Sequence, residues 1–262
     1  QVSEGLLMPA QTTKDVEKSS ELVRPGMAKS YEVSDDGTTY TFKLRKDAKW
    51  SDGHPVTAED FSFAWKRVLT PGFPADYAQL MYVIKHAEAY NSGKLDTWSK
   101  VGVETPDEHT VVVHLNKPTP YFPELAAFYT LFPQPKHIVE EHGDDWTRAK
   151  HIVSNGAYVL DGYKPQRHIK LKKNPKYWEA DDVSLDKAEL RIIKDRNAVV
   201  NAFQAGKLHW TGAGLPIAQI SDLIMRPDYF REPMLGVYYY RINVKKDSPL
   251  TKPKVRRASS RR

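Results

Sequence analysis

The stretch YTFKLRKDAKWSDGHPVTAEDFSFAWKRV, Tyr40 to Val68, sets out a strand, a turn and a helix within 29 residues. In the lead-in TTYTFKL, Tyr40, Phe42 and Leu44 alternate with Thr39, Thr41 and Lys43, a period of two that predicts a strand with one apolar face. WSDG then supplies turn chemistry, because Asp52 can accept from nearby backbone N–H groups and Gly53 tolerates positive φ. Thr57, followed three residues later by Asp60, resembles a capping box, so a helix should begin near Ala58. Phe61, Ala64, Trp65 and Val68 recur at helical spacing and define its apolar face.

Working outward, His109 to Leu115 reads as a second strand, and VGVETPDE before it as its hairpin partner with TPDE as a tight turn. The apolar run Tyr121 to Pro133 reads as a buried helix leading into an extended segment, and Gln134 to Gly143 as a short helix closed by its glycine. Asn155 to Trp178 predicts two antiparallel strands. Leu190 to Ile193, an Asp195-capped helix from Asn197 to Ala205 and Leu208 to Thr211 together predict a βαβ unit. LGVYYYRINV, ending at Val244, reads as a further strand. PLTKPKVRRA, from Pro249, reads as the entry to a helix that does not itself form, because SSRR has no apolar face to continue the packing, so the chain is expected to stop inside an element.

The 262 residues contain no cysteine, which removes thiol nucleophiles, Cys-ligated metals and disulfides, and 40% of them are hydrophobic, as in a folded domain. No leader opens the chain and no run approaches the length of a membrane span. The net charge of +6 sits at one end. From Lys245 to Arg262 eight basic residues face one acid, a net +7 that leaves −1 for everything before it. Nucleic-acid binding would therefore depend on that tail, and is not expected of the body.

Catalytic signatures are missing: there is no G-x-S-x-G elbow, no phosphate loop and no H-E-x-x-H. The acids of EEHGDDW, Glu140 to Asp145, match no metal loop and read as a solvated helix end. In TGAGLP, from Thr211, Ile217 stands where a dinucleotide-binding turn needs its third glycine. Scattered histidines such as His54 and His168 read as structural or solvent-exposed. The rows DYAQLMY and YYYRIN can line a cleft or pack a core, since tyrosine combines a broad apolar face with a polar tip.

The opening stretch, together with SEGLL, HTVVVHLNKPTPYF, FPQPKHIVEEHGDDW, SNGAYVL, NPKYW, AGKLHWT and YYYRINVKKDSPL, resembles the extracytoplasmic solute-binding proteins of the oligopeptide/dipeptide ABC transporter family (family 5) over nearly the whole chain. That resemblance implies a mixed α/β, periplasmic-binding-protein-like fold of type II, two lobes with an extra domain. Residues 4–135 would form the extra domain, 136–235 part of the first lobe and 236–262 the start of a truncated second lobe.

It further implies an oligopeptide ligand, permease subunits of an ABC transporter as partners, no enzymatic activity, no cofactor, no metal, a monomer, and a periplasmic or lipid-anchored location. Dipeptides, cell-wall peptides and nickel chelates are the alternative cargoes. On the family's pattern Tyr77 lies near the ligand, and Gly212, Ala213 and Gly214 form the segment that runs beside the peptide. Arg241 stands where relatives can carry an acid, which implies a changed charge preference. With most of a second lobe lacking, binding by this chain is expected to be weak.

Overall fold

The computed structural model describes residues 2–10, 22–212, 214–231, 242–244 and 248–259. Contact density divides the chain into Gln1–Lys194 and Asp195–Arg262.

The first unit begins with a two-stranded ribbon, β1 (Leu7–Pro9) against β2 (Val23–Pro25). Next comes a four-stranded antiparallel sheet of β3 (Ala28–Val33), β4 (Thr39–Leu44), β5 (Val103–Asp107) and β6 (Thr110–His114), in the order β3-β4-β6-β5. The expected alternation along β4 is realised: Tyr40, Phe42 and Leu44 are buried, and the first two pair in register with Val113 and Val111, which lie on the same buried face. The hairpin turn falls at Asp107 to Thr110, past the expected TPDE, because Asp107 Oδ1 accepts the His109 N–H at 2.7 Å and holds the reversal there.

Helix α1 (Ala58–Leu69) begins where the capping pattern places it, with the four apolar residues of its predicted face buried. The turn ahead of it also follows the residues: Gly53 has φ of +108° and Asp52 Oδ1 accepts the His54 N–H at 3.1 Å. Short helices α2 (Ala87–Asn91) and α3 (Phe122–Ala126) and a 3-10 turn, Tyr129–Leu131, complete the core around the sheet. Phe122 packs on Tyr40 with ring centroids 5.0 Å apart. Only five residues of the apolar 121–133 run are α-helical, since Pro123 suits a first turn and Pro133 ends regular structure.

Helix α4 (Lys136–His142) ends at Gly143, as expected. It is followed by a second sheet of β7 (Tyr158–Lys164), β8 (His168–Lys173) and β9 (Lys187–Arg191), antiparallel throughout. Residue 4 ties the N-terminal segment to this region. The buried Glu4 carboxylate accepts from the Tyr177 hydroxyl at 2.6 Å and from Trp178 Nε1 at 3.1 Å, while Asn155 exchanges two hydrogen bonds with the Glu4 backbone. Burial, and then the bond to Glu4, push the Tyr177 phenol far up. In an ultraviolet titration of phenolate, Tyr177 should therefore stay protonated well beyond pH 10 until the fold opens; its ionisation there in folded protein would break this account.

The expected βαβ unit is not formed. β9 pairs antiparallel with β8, and Leu208 to Thr211 make no ladder among the described residues, where Trp210 is 81% exposed. No strand among the described residues pairs with this run, and four residues without a ladder gain nothing from being extended.

In the second unit, helix α5 (Arg196–Gln204) does carry the predicted cap, Asp195 Oδ1 accepting the Ala198 N–H at 2.7 Å, and is followed by Gly206 at φ +67°. Beyond it lie α6 (Ile220–Leu223) and α7 (Pro253–Ser259). The last corrects the sequence reading, in which no helix formed after Pro249. Pro253 supplies a pre-set first turn, and Arg256 Nη1 donates to the carbonyls of Leu250 and Thr251 at 3.0 and 2.8 Å. The strand expected over LGVYYYRINV lies outside the described residues except for 242–244.

Candidate functional site

Tyr77 closes the loop after α1 and caps a 3-10 helix, Ala78–Val83, with a left-handed backbone at φ +67°. That conformation is uncommon for a bulky side chain, and strain of this kind persists where the surroundings over-determine it. The surroundings here are aromatic. The Tyr77 ring meets Phe128 edge-on at 5.6 Å and Tyr129 edge-on at 6.2 Å, yet remains 47% exposed. Tyr129 is 58% exposed, so the two rings offer an apolar, π-faced surface to solvent with phenol hydroxyls at its rim.

Beside them lies an open cleft of about 450 Å³ lined by Asp76, Tyr129, Thr130, Gln134 and Trp146 among others. In its wall, Thr130 Oγ1 is buried without a hydrogen-bond partner. The Tyr129 phenol is shifted up by partial desolvation and then by the charge of Tyr77 and Asp76, and as a neutral phenol it can donate a hydrogen bond.

The remaining site residues belong to the second unit. Gly212 has φ of +72°, and among the described residues a Cβ built on it would meet nothing within 4 Å. That left-handed backbone is one glycine adopts without strain. A Cβ at Gly214 would touch Arg196 Nε at 3.8 Å. Ala213 and Arg241 lie outside the described residues.

The Glu140 to Asp145 acids do not converge on a common point. Asp144 pairs with Arg67 at 2.9 Å, Asp145 with Arg148 at 2.6 Å, and Glu140 lies 3.9 Å from Lys136. Sequence reasoning missed Phe128 and Tyr129 as companions of Tyr77. The signal was available in the aromatic pair of AAFYTLF, which hydrophobic periodicity alone assigns to the core.

Three comparisons bear on this geometry. The family model described as bacterial extracellular solute-binding proteins, family 5 Middle, matches residues 23–260. The chain is 41% identical over 243 residues to the oligopeptide-binding protein OppA of Bacillus subtilis, spanning 89% of this chain and 43% of that protein. It is 37% identical to the dipeptide-binding protein DppE of the same organism, over 89% of this chain and 42% of that one. The crystal structure of Haemophilus influenzae OppA in complex with the peptide RPPGFSPFR superposes with a TM-score of 0.78 at 37% identity, covering 85% of this chain and 42% of that structure. The chain thus spans less than half the length of the relatives it matches. Among the described residues no helix is long and apolar enough to cross a membrane.

Proposed function

The chain belongs to the bacterial extracellular solute-binding proteins, family 5, and from that premise we propose that it forms part of an extracytoplasmic receptor, periplasmic or lipid-anchored, that captures oligopeptides for an ABC importer. Residues 4–135 serve as the extra domain of such a receptor, 136–235 as part of one lobe and 236–262 as the beginning of the other.

The observation that carries this reading is Tyr77. An exposed aromatic ring held at a strained backbone angle, buttressed by Phe128 and Tyr129, is a surface built for a guest rather than for a core. The open cleft beside it suits a hydrated guest that varies in side chain. The peptide lies extended and exchanges backbone hydrogen bonds with the protein; Gly212, Ala213 and Gly214 are proposed as the segment that runs beside it, and Arg241 as biasing charge preference. No covalent bond changes, and the permease subunits of the importer are the onward partners. A dipeptide cargo is the second reading, favoured by the likeness to DppE.

Calorimetric titration with RPPGFSPFR, with unrelated peptides of equal length and with dipeptides tests the proposal. Binding should tolerate changes of peptide side chain and weaken at least about 10-fold when alternate peptide amides are N-methylated, which removes donors without shortening the chain. Tyr77→Ala should weaken it by about 10-fold, the scale of a buried aromatic anchor. Affinity for dipeptides alone would select the second reading. Indifference to N-methylation, or hydrolysis of the peptide, would overturn both.

A further inference from the structure

His54 is not the isolated histidine that its place in the sequence suggested. It lies in the turn before α1, 62% exposed, and its ring stacks on that of His137 with centroids 4.2 Å apart. Between them sits Asp52, whose Oδ2 is 2.6 Å from His137 Nε2 and 3.2 Å from His54 Nδ1. The three ligand-type atoms all lie within 4.8 Å of one another, a separation no other group of histidines and carboxylates reaches among the described residues.

We propose that Asp52, His54 and His137 form a surface site for one divalent transition-metal ion of the zinc class. Two borderline imidazole nitrogens with one harder carboxylate oxygen make a donor set that zinc, cobalt and nickel take, whereas calcium and magnesium require more oxygens. Three protein ligands leave a fourth position for water, and the exposure of His54 gives the ion a way in.

The supporting shell is already built. Asp52 Oδ1 is engaged by the His54 N–H at 3.1 Å, which orients the carboxylate and leaves Oδ2 toward the rings. His137 is placed by the N-terminus of α4, where the Lys136 N–H donates to Asp60 at 3.1 Å. The Asp60 carboxylate acts on His137 through space and adds negative field. Opposing it, the Lys176 ammonium reaches the turn at Gly53, though Lys176 is exposed and its long stem has room to carry the charge into solvent. The bound ion ties the turn to α4 across a sequence separation of 85 residues between Asp52 and His137.

A different role for the same triad, a hydrogen-bonded lock with no metal affinity, makes an opposite prediction. The test uses the metal-stripped chain without a polyhistidine tag, titrated with zinc chloride by calorimetry and with cobalt by visible absorption. One equivalent should bind saturably, and cobalt should show the intense visible bands of a four-coordinate site. His54→Ala and His137→Ala should each weaken affinity 10- to 100-fold, the span seen when a metal's ligands or their supports are altered. His142→Ala should leave it unchanged, although His142 also stacks on another histidine, His151.

At a hundredfold excess over the wild-type Kd the thermal midpoint should rise by about 5 °C in the wild type and, at the same zinc concentration, by no more than about half of that in His54→Ala. Because His54 is mostly exposed, the metal-free His54→Ala protein should keep the wild-type midpoint, which separates loss of the site from loss of the fold. Lack of saturation by about 1 mM zinc, or affinity unaltered in His54→Ala, would overturn the proposal.

Discussion

Asp60→Ala should destabilise the protein by about 3–5 kcal/mol, because it strands several buried and partly buried donors at once. Asp60 is 5% exposed. Its Oδ2 accepts the Thr57 N–H at 2.9 Å, Trp50 Nε1 at 3.2 Å and the Thr57 hydroxyl at 3.3 Å, and its Oδ1 accepts the Lys136 N–H at 3.1 Å. One carboxylate therefore caps α1, fixes the indole of the turn before it and starts α4. Alanine leaves all four donors without this acceptor, the Trp50 Nε1–H in a buried site and the other three in partly buried ones. Asp60→Asn keeps Oδ1 as an acceptor and should lie between wild type and Asp60→Ala.

The effect also carries a pH signature. Burial raises the Asp60 carboxyl above 3.8, against the hydrogen bonds from Thr57, Lys136 and Trp50 that pull it down. The folded state consequently holds this proton more tightly than the unfolded chain does. Its contribution to stability is complete below the ordinary value and is lost as pH rises through the raised one. The gap between wild type and Asp60→Ala should accordingly widen toward acid. Urea unfolding followed by far-ultraviolet dichroism at several pH values measures both quantities. A difference under about 1 kcal/mol at neutral pH would show that Asp60 is not the junction described.

The reason Asp60 shows only part of its role in the sequence is general to this chain. The Thr57–Asp60 pair is local, three residues apart, and was legible as a cap. Its bond to Lys136 spans 76 residues and left no local mark. The same contrast separates β4, whose alternation is written in its own residues, from its pairing with β6, which is visible only in register. It also explains the outcome at Leu208 to Thr211, where apolar residues predicted a strand and no strand among the described residues pairs with them.

The site follows the same rule. Left-handed backbone is signalled in sequence by glycine or asparagine, so nothing in DYAQL announced the φ of +67° at Tyr77. The placement of Tyr77 near a ligand came from family likeness, whereas its exposure and its two aromatic supports are properties of the folded chain. The convergence of Asp52, His54 and His137 was equally invisible, since α4 brings its histidine back to the turn from far along the sequence.

Trp65→Ala should cost about 3–5 kcal/mol, the range for removing a large buried aromatic and leaving a cavity behind. Trp65 is fully buried in the middle of α1, meets Phe61 edge-on at 6.3 Å and donates from Nε1 to the Leu131 carbonyl at 2.8 Å. Leu131 ends the 3-10 turn that carries Tyr129, one of the two rings supporting Tyr77. The indole therefore does two things: it fills the core under the sheet, and it sets the height of the aromatic surface above it. Trp65→Phe separates them. It retains most of the ring volume, so stability should fall by only about 1–2 kcal/mol, yet it frees the Leu131 carbonyl from its side-chain donor. If that bond positions Tyr129, peptide affinity should drop in Trp65→Phe by more than its modest stability loss accounts for, and Tyr77→Ala should add little further loss in the Trp65→Phe background. Full additivity of the two substitutions on peptide affinity would instead confine Trp65 to the core.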